Sequence, residues 1–190
     1  MIRSARWSAS LVIVALVVAI LSTRVNHFGD AVSLPDATLA AFFLAGLWLR
    51  SFWPFVALLA AAGLADQWAF RQGMSDWCVT PAYVFLLPTY ACLWFAGRAS
   101  RNLDAVSLAG AARLAANLLA ATAVAFIVSN ASFFLLSGYF QGMSGLEYWR
   151  ATARYFPPYA AWAFAYVAFM LGAALPLRRT TRAARVDPGR

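Results

Sequence analysis

The chain has 190 residues, 63% hydrophobic and only 12% charged, with a mean hydropathy of +0.69. A soluble domain carries about 25% charged residues, so this composition excludes an ordinary soluble globular protein; the apolar content also excludes disorder, and two cysteines exclude a disulfide scaffold. The formal net charge is +8, and all fifteen basic residues are arginines standing at the ends of apolar runs, which points to a membrane and not to nucleic acid.

A membrane-crossing helix takes about 20 mostly apolar residues. Six stretches meet or approach that length: 8–23, 35–49, 51–70, 80–97, one within 108–137 and one within 157–177. The first begins after Arg3 and Arg6 like a signal peptide, but no small-residue cleavage site follows, so a retained helix is expected. The second is short and is expected to start near Ser33, Pro35 and Asp36. Thr80 before Pro81 reads as an N-cap followed by proline at the first helical position. Pro88, inside the fourth stretch, predicts a kink. Pro157 and Pro158 open the sixth. The fold class is therefore an all-α membrane protein, a single six-helix transmembrane domain over residues 1–190. There is no internal repeat, and the loops leave no room for an ATPase.

Six spans place both ends of the chain on one side. Eleven arginines (3, 6, 50, 98, 101, 113, 178, 179, 182, 185 and 190) fall there, against Arg24, Arg71, Arg150 and Arg154 on the other. The positive-inside bias makes the richer side, and both termini, cytoplasmic. Acids run the opposite way, with Asp30, Asp36, Asp66, Asp76 and Glu147 outside. The basic tail, 178–190, is expected to lie against anionic headgroups.

The outer segments hold nearly all residues suited to chemistry. Cys78 stands just before a helix N-terminus, where unpaired amides favour a thiolate, a soft and strongly donating metal ligand; its alternative is a small apolar loop residue. Cys92 lies about 18 Å deeper, too far for a disulfide with Cys78 within that helix, and reads as packing. His27, the only histidine, is a ligand, a proton donor or a loop residue. One histidine and one cysteine do not make a zinc site, so a metal here would arrive with most of its ligands attached. Asp66, at the outer end of the third stretch, faces either a cavity or interfacial water. Arg150 and Arg154, four apart, would share a helix face and either bind an anion or pair with Glu147. Trp68, Trp77, Tyr83, Tyr139, Tyr148, Trp149, Tyr155 and Tyr159 form an interfacial belt or a wall for a large flat ligand. Ala15 and Ala19 make a small-xxx-small pair. No P-loop, HExxH, GxSxG or paired-carboxylate pattern is present, so nothing argues for a hydrolase or a kinase.

The segments Asn26-His27-Phe28, Leu34-Pro35-Asp36-Ala37-Thr38-Leu39-Ala40 and Trp77-Cys78-Val79-Thr80-Pro81-Ala82-Tyr83 resemble the small solitary vitamin B12 transporters called BtuM. These are related to the substrate-binding S-components of energy-coupling factor (ECF) transporters. The resemblance implies an S-component-like six-helix fold in the bacterial inner membrane and cobalamin as the substrate. It implies that Cys78 ligates cobalt from the lower axial face in place of the vitamin's own base. Electron donation from that thiolate would loosen a trans cyanide, so removal of cyanide from cyanocobalamin is also implied. His27, Asp66, Tyr83 and Arg150 are the implied pocket residues, with Arg154 competing with Arg150. An ECF energising module docking on the first helix, at Ala15 and Ala19, is the implied partner besides the vitamin and the bilayer. The alternatives to this reading are an S-component for another vitamin, or a sensory or scaffold module without transport.

Overall fold

A computed structural model describes the backbone of residues 9–24, 35–73, 77 and 79–186, with side chains up to residue 174. The described residues are predominantly helical, and no strand occurs among them. The helices are α1 (Ala9–Arg24), α2 (Thr38–Trp48), α3 (Trp53–Arg71), α4 (Leu86–Ala99), α5 (Leu108–Leu136), α6 (Gly145–Thr152) and α7 (Phe156–Val186). Short 3-10 turns, Pro81–Phe85 and Ala153–Tyr155, lead into α4 and α7. Each apolar stretch read from the sequence overlaps one of the longer helices; α6 is the addition. The helical backbone of α7 continues into the basic tail as far as Val186.

Local chemistry sets the boundaries. Thr80 is extended, and its hydroxyl accepts the Ala82 N–H at 3.3 Å, opening the turn before α4. Asp36 Oδ1 accepts the Thr38 N–H at 2.8 Å and starts α2. Ser107 caps α5 by accepting the Gly110 N–H at 3.1 Å. Ser144 and Glu147 form a reciprocal capping box on α6. Pro88 does not kink the middle of a helix as the sequence predicted. The 3-10 turn runs to Phe85, so Pro88 is the third residue of α4, in a first turn whose N–H groups have no intrahelical acceptor in any case.

α2 occupies the centre. Thr38 to Leu47 are all buried, as expected of a helix apolar on every face, and α1, α3, α4 and α7 pack around it. Its closest approach is to α4. A Cβ added at Gly46 would sit 2.0 Å from the Trp94 carbonyl oxygen, and one at Gly97 would sit 1.9 Å from that of Phe43, so the two backbones touch where only hydrogen fits. The last turn of α4 and the chain after it close over the C-terminus of α2: Arg101 Nε donates to the Gly46 carbonyl at 2.7 Å, Arg101 also reaches the Leu49 carbonyl, and Arg98 Nη2 donates to the Arg50 carbonyl at 2.9 Å. Phe42 stacks on Tyr90 at 4.6 Å and meets Phe55 edge-on at 5.3 Å, tying α2 to α4 and α3.

The outer surface inverts the soluble pattern. Leu11 and Val14 on α1, Leu64 on α3, Phe95 on α4, Leu135 on α5 and Phe169 on α7 are all exposed. Two helical segments, Leu108–Leu136 and Gly145–Ala174, are long and apolar enough to cross a membrane.

Candidate binding cavity

Helices α1, α3 and α5 end, and α2, α4 and α7 begin, at one end of the bundle, which therefore gathers six helix termini. There a cavity of about 710 Å³ opens, within the ~300–1,000 Å³ range of ligand pockets. Trp77, Met143 and Tyr155, all exposed, contribute to its lining.

Its polar floor is organised by Arg24, the last residue of α1, which is only 6% exposed. Arg24 Nε and Nη2 donate to Asp66 Oδ1 and Oδ2 at 2.7 and 2.8 Å, a bidentate pair. Nη1 donates to Asp36 Oδ2 at 3.0 Å, to the Tyr90 hydroxyl at 2.9 Å and to the Thr38 hydroxyl at 3.3 Å. The Tyr83 hydroxyl donates to Asp66, and the Thr38 hydroxyl to Asp36. Asp66 is 2% exposed, so this is a buried ion-pair network whose members depend on one another. It joins α1, α2, α3 and α4 beneath the cavity. Tyr166 of α7 donates to the Pro35 carbonyl at 2.7 Å and secures the entry to α2.

The opposite wall is aromatic. Trp77 stacks on Tyr139 at 5.1 Å and meets Phe133 edge-on at 4.9 Å. Phe140 and Tyr148 pack at 4.8 Å, and the Tyr148 hydroxyl donates to the Asn130 side-chain oxygen at 3.2 Å, binding α6 to α5. Of the aromatics singled out in the sequence, Trp77, Tyr83, Tyr148, Tyr155 and Tyr159 line the cavity; Trp68, Tyr139 and Trp149 do not.

The structure brings together Asp66 and Tyr83 from the expected pocket set. Arg150 and Arg154 are exposed and are not among the lining residues. They also do not share one helix: Arg150 lies in the last turns of α6 and Arg154 in the 3-10 turn, where its guanidinium covers the Tyr155 ring and donates to that hydroxyl at 2.9 Å. Glu147 turns back to Ser144, its Oε2 accepting the Ser144 N–H at 2.9 Å, so the capping box replaces the pairing considered with these arginines. The two backbone and side-chain bonds from Ser144 hold the Glu147 carboxyl below its ordinary range. His27 and Cys78 lie outside the described residues. Cys92 is half-buried against the core. Among the described residues no group of three His, Cys, Asp or Glu side chains is poised to hold a metal ion.

Arg24, which the sequence shows only as one of the four arginines on the arginine-poor side, is the residue that organises the floor. The available signal was its company: Asp36 and Asp66 fall on the same side, and a charge at the edge of an apolar run needs a partner.

No protein-family profile matches the chain, and no curated protein matches it.

Proposed function

We propose that this chain is a six-span inner-membrane protein with both ends cytoplasmic, and that its cavity takes cobalamin for uptake. The arginine asymmetry and the exposed apolar girdle support the membrane placement. α2, at 11 residues, is too short to face lipid across a bilayer, but it is wrapped by four other helices and need not do so.

The observation that carries the ligand reading is a mostly apolar cavity with aromatic walls and a small charged floor. Two of the residues that line it, Trp77 and Tyr83, bracket Cys78 in the chain. A corrin supplies four nitrogens to cobalt, so the protein need add a single donor, which matches a chain holding one cysteine in its outer segments. In this reading the Cys78 thiolate replaces the vitamin's base, and its electron donation promotes departure of a trans cyanide as the anion. The α1 face bearing Ala15 is exposed beside Leu11, Val14 and Val18, which supports docking of an energising module's helix there, with Ala19 half-buried at its edge.

The test is the visible spectrum of cyanocobalamin bound to the detergent-purified protein and to Cys78→Ala. A shifted spectrum in the parent, absent from the variant, is expected. Identical spectra and affinities would remove Cys78 as the ligand, and no retained vitamin would remove the function.

A further inference from the structure

Among the described residues, the charged side chains lining the cavity are Arg24, Asp36 and Asp66, one positive and two negative, a formal net charge of −1 for that set. The guanidinium faces its own carboxylates: Nε and Nη2 are on Asp66, and Nη1 is on Asp36 and Tyr90. Its Nε, Nη1 and Nη2 are thus engaged by the protein's own acceptors. The carboxylates keep capacity. Each offers about four lone-pair positions. Asp36 accepts from Thr38 N–H, the Thr38 hydroxyl and Arg24, and Asp66 accepts twice from Arg24 and once from Tyr83. Among the described residues these donors leave one acceptor position on Asp36, while Asp66 is buried. The Asp36 side chain is 26% exposed, and the Tyr83 oxygen beside Asp66 can also accept.

We infer that this floor selects its ligand by charge: it receives uncharged groups that present N–H donors, primary carboxamides above all, and rejects the same groups as carboxylates. A carboxamide donates where the floor accepts. A carboxylate of the same shape offers no proton and meets a net negative site from which water is partly excluded, where like charges are costly. The inference deepens the cobalamin reading and rests on it, since the corrin edge bears primary carboxamides. It makes Asp36 a specificity-determining residue, a role distinct from metal ligation.

The experiment compares dissociation constants of cyanocobalamin and of its monocarboxylic acids, each with one peripheral propionamide hydrolysed, at pH 7.5 and low salt. At least one acid is expected to bind about tenfold more weakly than the amide, and Asp36→Asn is expected to bring that ratio below about threefold. Asparagine retains the oxygen that starts α2, and Asp66 still neutralises Arg24. Where that variant fails to fold, the comparison in the parent protein decides. Acids that all bind within twofold of the amide, or a ratio unchanged by Asp36→Asn, overturn the charge selection while leaving cobalamin binding intact. Failure of cyanocobalamin itself to bind overturns both readings.

Discussion

Arg24 and Asp66 stand 42 residues apart in the chain and face each other through two parallel hydrogen bonds of 2.7 and 2.8 Å, fixing the end of α1 against the end of α3. The pair is almost wholly buried, so its energetic role lies in mutual dependence: each charge is tolerable only with the other in place.

Removing one partner exposes that dependence. Arg24→Met leaves two acids without a cation and is expected to cost about 3–5 kcal/mol, read as thermal or denaturant unfolding in detergent. The double variant Arg24→Met with Asp66→Leu should recover a substantial part of the loss. A single variant within about 1 kcal/mol of the parent would contradict a buried network.

Tyr83 tests the same network from the α4 side. Tyr83→Phe deletes a hydrogen bond to a buried carboxylate, a loss of about 1.5–3 kcal/mol. Tyr155→Phe removes a hydroxyl from an exposed ring and should stay within about 0.5 kcal/mol of the parent. Equal effects of the two changes in parallel melts would deny Asp66 its dependence on Tyr83.

The α2–α4 contact yields a paired prediction on glycine. Gly97→Ala drives a methyl into the Phe43 carbonyl, and backbone must move; a cost of about 1–3 kcal/mol or more is expected. Gly63→Ala, within α3, meets nothing within 4 Å and should gain about 0.5–1 kcal/mol from helix propensity. Melting temperatures of the two variants should move in opposite directions.

The capping box on α6 gives a pH dependence. Hydrogen bonds from Ser144 lower the folded-state pKa of Glu147 beneath the unfolded value. The folded state therefore holds fewer protons than the unfolded one between those two values. The stabilisation is fully present above the ordinary value of 4.5 and disappears as the pH falls through the lowered folded value. Protection of the Glu147 N–H, which Ser144 Oγ accepts at 3.3 Å, is expected to fall over that acid interval in hydrogen exchange. Glu147→Gln should show a flat profile across it.

The positions of helices were legible because their signals are local. Apolar runs located α1, α2, α3 and α5 to within about three residues, whereas α4 starts at Leu86 and α7 runs on to Val186; Thr80 with Pro81 marked the turn that leads into α4, since capping depends on residues two or three positions away. The Ser144 and Glu147 spacing carried the same signal for α6 and went unread. Pro88 was misjudged because the 3-10 turn shifts the start of α4 past Phe85, a change of helix type that composition does not encode.

For the site, the sequence determined which residue types the connections after α1, α3 and α5 carry: acids, tyrosines and Trp77. Only the tertiary structure decided that α2 is enclosed on every side and that Gly46 and Gly97 bring two backbones into contact. It also decided that Arg24 turns inward to Asp36 and Asp66 while Arg150 and Arg154 stay exposed. Periodicity and capping act within a turn or two of helix, whereas the Arg24 contacts close separations of 12, 42 and 66 residues. Such pairings exist only once several helices have packed and excluded water, because it is the loss of solvent that makes each buried charge require its partner.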